Sequence, residues 1–132
     1  MHSLSAACRR PAHFALLLAA LGVAGCDLRE RALPHAVASA STVERGRLLL
    51  AQYQCGSCHE IPDVPAARGA AGPPLAAFGR RSYIAGHLPN GPDLLARWIV
   101  SPAALVPGTT MPSMGVSETD ARDIAAYLLA LE

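Results

Sequence analysis

Two short stretches of this 132-residue chain gather side chains that can do chemistry. Cys55-Gly56-Ser57-Cys58-His59 brings two thiols and an imidazole together. Its C-x-x-C-H spacing suits covalent haem attachment. Three residues are about one helical turn, so both sulfurs face one way and can add to haem vinyl groups, while His59 follows closely enough to aim its ring at the iron. Other uses of these residues fit less well. A structural zinc site needs four ligands where three stand here, a thioredoxin-type dithiol should follow a strand in a βαβ unit, and a bare disulfide leaves His59 without a task. The second stretch, Pro107-Gly108-Thr109-Thr110-Met111-Pro112, offers a thioether in a loop stiffened by Gly and Pro. Met111 is therefore the candidate second axial ligand, with Met114 and His87 as its competitors.

These groups need elements to position them. Ser41-Thr42-Val43-Glu44 fits a capping box, and Gly46, Leu49, Leu50 and Tyr53 then recur at helical spacing, so an amphipathic helix runs straight into Cys55. From Ile61 to Pro89 the chain is punctuated by Pro62, Pro65, Gly69, Gly72, Pro73, Pro74, Gly79 and Gly86. That pattern predicts an ordered loop region with short turns, which needs something to wrap around. Pro92 opens a short helix with Leu95, Trp98 and Ile99 on one face, ending before Pro102. Ser117 caps the last helix, whose apolar stripe is Ala121, Ile124, Ala125, Leu128 and Leu131.

Composition agrees with a small helical domain. The chain is 52% hydrophobic and 16% charged, with a formal net charge of +1, which allows one domain and excludes a polybasic nucleic-acid binder. Aromatics are only 5%, Gly and Pro number 11 each, and runs of alternating β-branched residues are absent, which disfavours an all-β sandwich. So thin a core gains little from burial alone, and a bound cofactor would add the missing apolar mass.

The amino-terminal part reads as a targeting segment. Arg9 and Arg10 precede an apolar run from Phe14 to Ala24, too short to span a bilayer, and a polar stretch follows Cys26. Val23-Ala24-Gly25-Cys26 resembles the lipobox of bacterial lipoproteins, which implies acylation of Cys26 after removal of residues 1–25. The other reading is a plain signal peptide cut near Ala24, with Cys26 a stray thiol. Asp27 resembles the signal that retains such lipoproteins on the inner membrane. Residues 26–42 would then be the lipidated Cys and a flexible tether, reaching roughly 20–25 Å, and residues 43–132 the folded domain. Without Arg9 and Arg10, nine arginines stand against ten acids, and there is no lysine.

In chain order, Gly46, Cys55-x-x-Cys58-His59, Gly72-Pro73-Pro74-Leu75, Phe78-Gly79-Arg80, Trp98, Pro107-Gly108-Thr109-x-Met111 and Ala126-Tyr127-Leu128 make residues 43–132 resemble class I cytochrome c. The likeness is greatest to the small domains that serve, or are fused to, bacterial terminal oxidases. It implies an all-α cytochrome c fold, three main helices plus ordered loops around one haem c bound through Cys55 and Cys58, with His59 and Met111 as axial ligands. It further implies that Pro73 offers its carbonyl to the His59 ring and that Arg80 holds a haem propionate, Arg81 beside it being solvated. Tyr83 and Trp98 would donate to propionates or pack on the haem, with core filling the other explanation for both. Gly46 and Tyr127 would mark the crossing of the first and last helices.

With both axial positions filled, the iron has no open site, so the implied role is one-electron transfer rather than catalysis. The expected acceptor is a membrane complex such as a terminal oxidase, and the expected donor a quinol-oxidising complex or another cytochrome, at the periplasmic face of the bacterial inner membrane. A domain without lysines and nearly neutral steers weakly at long range, so the tether would supply proximity instead. Arg68, Arg80, Arg81 and Arg97 remain as a candidate local basic patch. Alternative readings are a haem-based sensor or gas-binding module with a labile Met111 bond, and a peroxidase-like haem enzyme.

Overall fold

The computed structural model describes residues 38–132. Cys26 and the expected signal and tether residues up to 37 lie outside them. Helix α1 spans Ala40–Gln52, and its N-cap is Ser39, whose side chain accepts from the Thr42 backbone N–H at 3.2 Å. The expected cap at Ser41 is thus displaced by two residues, and Ala40 to Thr42 belong to the helix rather than to a tether. Glu44, the expected reciprocal partner of that cap, is paired instead with Arg47 at 2.6 Å. Residues 39 to 42 carry three hydroxyls within one turn, and a hydrogen-bonding pattern alone does not tell which of them starts the helix.

Gln54 takes a left-handed conformation (φ 55°) and ends the helical run, and a 3₁₀ turn over Cys55–Ser57 follows. The next 34 residues are loop, a second 3₁₀ turn over Phe78–Arg80, and a minimal antiparallel hairpin. In the hairpin β1, Tyr83–Ile84, pairs with β2, Leu88–Pro89, in the register Tyr83 to Pro89 and Ile84 to Leu88. Helix α2 spans Pro92–Val100 with proline in its first turn, and a single further turn, α3, spans Pro102–Leu105. Helix α4 spans Glu118–Ala130, and the Ser117 Oγ accepts from the Asp120 backbone N–H at 3.1 Å.

The core lies where α1, α2 and α4 meet. Leu49 and Leu50, then Leu95, Trp98 and Ile99, then Ala121, Ile124, Ala125 and Leu128 are buried there, joined by Leu75, Phe78 and Ile84 from the loop region. Each large aliphatic side chain removed from water contributes about 1.5–3 kcal/mol. Helices α1 and α4 cross at Gly46, where a β-carbon would stand 2.0 Å from the Asp123 carbonyl oxygen and 2.9 Å from Tyr127 Cβ. Gly46 and Tyr127 thus meet at that crossing as expected, with the Asp123 carbonyl closer still. Beside it Arg45 pairs with Asp120 at 3.2 Å and with Asp123, and the Tyr53 hydroxyl donates to Asp120 at 2.8 Å.

Candidate haem site

The end of α1 delivers the C-x-x-C-H motif. Because the Cys55–Ser57 turn is 3₁₀ rather than α, with three residues per turn, Cys55 and Cys58 fall one full turn apart. Both thiols are free and partly buried. Burial raises the Cys55 thiol above its ordinary pKa, so it stays protonated at neutral pH. Backbone bonds from Gly69 N–H to Gly56 O (3.0 Å) and from Gly72 N–H to Cys58 O (2.7 Å) lay the following loop against the motif.

His59 is held from two sides. Its Nδ1 lies 2.8 Å from the Pro73 carbonyl oxygen, and that acceptor makes Nδ1 the protonated nitrogen and leaves Nε2 with its lone pair free. Gly72 lies against the ring, where a β-carbon would stand 2.3 Å from Cε1 and 2.6 Å from Nδ1. A glycine is therefore required for the ring to sit where the Pro73 carbonyl can reach it. A carbonyl on the non-ligating nitrogen also raises the basicity of the ligating one.

Met111 is partly buried and packed against the core. Gly108 (φ 84°) turns the chain ahead of it, and the Met111 N–H donates to Thr109 Oγ1 at 3.3 Å. Two residues later, Ser113 Oγ donates to the Val100 carbonyl at 2.9 Å and fastens the loop to the end of α2. Met114 is 42% exposed, and His87 is exposed on the hairpin. Of the two methionines in this loop, only Met111 packs inward. These residues fit a haem: two reduced thiols one turn apart, an imidazole with its ligating nitrogen free, and an inward thioether.

Of the two arginines beside the expected carboxylate edge, Arg81 differs from its expectation. Arg80 is exposed. Arg81, expected to be solvated, instead donates through Nη2 to the carbonyls of Pro74 and Ala76 (the latter at 3.1 Å), and its guanidinium lies 5.1 Å from the centre of the Phe78 ring. A planar, fixed fork of donors can bridge two carbonyls while stacking on an aromatic face, which explains why this arginine is drawn partly out of the solvent. It thereby ties down the loop that carries Pro73. Trp98 is buried in the core, whereas Tyr83 is 56% exposed, so core filling does not account for Tyr83.

Sequence reasoning missed three further ties to this loop. Tyr127 donates its hydroxyl to the Pro62 carbonyl, Arg47 Nη1 donates to the Asp63 carbonyl at 3.0 Å, and Asn90 Nδ2 donates to the carbonyls of Phe78 (3.1 Å) and Arg81 (3.0 Å). All three end on loop carbonyls, which have no pattern in the sequence. Asn90, just ahead of the Gly91-Pro92 helix start, had the only visible signal, as a residue type favoured in turns.

The model of the cytochrome c family matches residues 43–132. Among curated proteins, the cytochrome c oxidase subunit 2 of Alkalihalophilus pseudofirmus is 36% identical over 89 residues, covering 67% of this chain and 25% of that protein. The cytochrome c oxidase subunit 2 of Bacillus subtilis is 30% identical over 101 residues, covering 72% of this chain and 28% of that protein. The chain thus spans about a quarter of the length of these relatives. No solved structure gives a significant match. The chain belongs to the cytochrome c family as a class I c-type cytochrome, and its all-α fold is that of the family. Its class is that of haem-based electron-transfer proteins.

Proposed function

We propose that this protein is a one-electron carrier whose haem c is bound covalently through Cys55 and Cys58, with His59 and Met111 as its axial ligands. The observation that carries the reading is the His59 ring, protonated toward Pro73 and packed on Gly72, with Nε2 left free. When bound, the haem supplies reversible one-electron exchange at iron, and the chain's own residues set its conditions. His59, made more basic by Pro73, is a strong donor. Met111, a soft thioether, favours the reduced iron and raises the potential relative to two imidazoles. With both filling the axial positions, no place remains for oxygen or peroxide.

The relatives are subunits of cytochrome c oxidase, which supports a membrane terminal oxidase as the acceptor, with a quinol-oxidising complex or another cytochrome as the donor. In our reading Cys26 carries the lipid anchor at the periplasmic face of the bacterial inner membrane, and the segment up to α1 tethers the domain. With nine arginines balanced by ten acids after residue 25, the chain lacks a steering field, so tethering supplies the effective concentration that charge does not.

The test is a haem stain of the full-length protein after denaturing electrophoresis, followed by oxidase turnover before and after the tether is cut. Haem should survive denaturation, and replacing both Cys55 and Cys58 with Ser should abolish that survival. Cutting ahead of Ala40 should slow turnover at equal bulk concentration. Haem lost on denaturation would contradict the attachment, and unchanged turnover would contradict the tether.

A further inference from the structure

Among the described residues, one buried side-chain polar atom has no hydrogen-bond partner, the Oδ1 of Asn90. The donors of that residue are all engaged. Its Nδ2 donates to the carbonyls of Phe78 and Arg81, and its backbone N–H donates to the Ser82 carbonyl at 3.0 Å. With both amide protons committed, the group cannot turn to relieve Oδ1 without breaking two bonds. An acceptor held so firmly and left unpaired is costly unless a donor reaches it.

The clamped turn shows where such a donor would come from. It carries Arg80 and leads directly into Tyr83, the two residues that the cytochrome resemblance sets at the acidic edge of the haem. Neither these nor Arg81 serves Oδ1: Arg80 and Tyr83 are exposed, and the Arg81 guanidinium faces the Pro74 and Ala76 carbonyls. We propose that Asn90 is a positioning residue for that acidic edge. Its Nδ2 holds the Phe78–Arg81 turn, and its Oδ1 accepts from an O–H that arrives with the haem. The donor is either a haem carboxyl in its acid form or a water held by the carboxylate. The inference rests on the haem reading above.

Accepting from the acid form favours the uncharged carboxyl, and fixing a water that also donates to the carboxylate disperses its charge, so either bond lessens the negative charge at the haem edge. Negative charge near the iron favours the ferric state, so the bond holds the reduction potential up. The test uses the full-length holoprotein and Asn90→Leu, with the smaller and equally uncharged Asn90→Ala as the second variant should the first fail to fold. Either substitution removes both Nδ2 bonds and lowers the melting temperature; the proposal adds that the reduction potential at neutral pH falls. Two spectra then identify the donor in the wild type. Cross-relaxation between the Asn90 side-chain amide and a long-lived water identifies water. A protonated-carboxyl stretch that shifts when the haem carboxyls carry ¹³C, and disappears in the variant, identifies the acid. A lowered melting temperature with an unchanged potential would make Asn90 a clamp alone and overturn the proposal, as would the lack of both spectral signals. Absence of covalent haem on the denaturing gel would overturn the haem reading itself.

Discussion

The crossing of α1 and α4 and the loop region between α1 and α2 are built on different principles. At the crossing, apolar side chains and a glycine bring two backbones into contact, and the chain's own atoms fill the space. In the loop region, side-chain donors reach backbone carbonyls: Arg81 to Pro74 and Ala76, Asn90 to Phe78 and Arg81, Tyr127 to Pro62, Arg47 to Asp63 and His59 to Pro73. Among the described residues, every non-glycine residue with positive φ, namely Gln54, Asp63, Ala66, Ala77 and Ala85, falls in or at the edge of that region. Each left-handed residue costs roughly 1–2 kcal/mol. One region is thus held by burial and the other by directed hydrogen bonds against backbone strain, which is the design of a wrap around a partner that the chain does not itself supply.

The comparison yields a graded set of outcomes. Gly46→Ala strikes the first region where nothing can yield, since the new carbon meets backbone, and should lower the unfolding free energy by about 3 kcal/mol or more in a denaturant titration. Survival of the fold with little loss would mean that the helices can slide apart and that the crossing is not the fixed frame. Arg81→Ala strikes the second region and should cost about 1–2 kcal/mol in the same titration, whereas Arg80→Ala should stay within about 0.5 kcal/mol. The reverse order would show that the loop is not tied down by Arg81.

Tyr53→Phe should have a modest effect with a diagnostic pH dependence. Hydrogen bonds from Tyr53 first, and then from Ser117, hold the Asp120 carboxyl below the ordinary carboxylate range. A group whose folded pKa is depressed stabilises the fold above its unfolded pKa and loses that contribution as the pH falls through the folded value. The difference in stability between wild type and Tyr53→Phe should therefore be full at neutral pH and shrink on acidification through the carboxylate range. A difference independent of pH would show that the hydroxyl acts without Asp120.

What the sequence made legible follows the same division. Burial leaves a periodic trace, so the stripes on α1, α2 and α4 could be read from residue spacing and the Ser117 cap from residue type, whereas the Gly46 crossing was implied only by the family resemblance. Side-chain bonds to loop carbonyls leave none. Arg81 looked like any surface arginine, Asn90 like any turn residue, and hairpin strands of two residues are too short to show alternation. Helix α2 ends before Pro102 as its residues predict, but the turn that Pro102 then opens, α3, had no apolar period of its own to announce it. The C-x-x-C-H and P-G-T-x-M motifs were legible as chemistry, while the support of His59 by Pro73 became visible on this chain only in the fold.

The central claim is that the loop region wraps a haem whose second ligand is Met111. The most direct measurement is the weak far-red charge-transfer absorption of a thioether bound to ferric haem, recorded on the wild-type protein, Met111→Ala and Met114→Ala. The band should be present in the wild type, unchanged in Met114→Ala and lost in Met111→Ala. A band that is absent from the wild type while covalent haem is present, or one that follows Met114, would contradict the account.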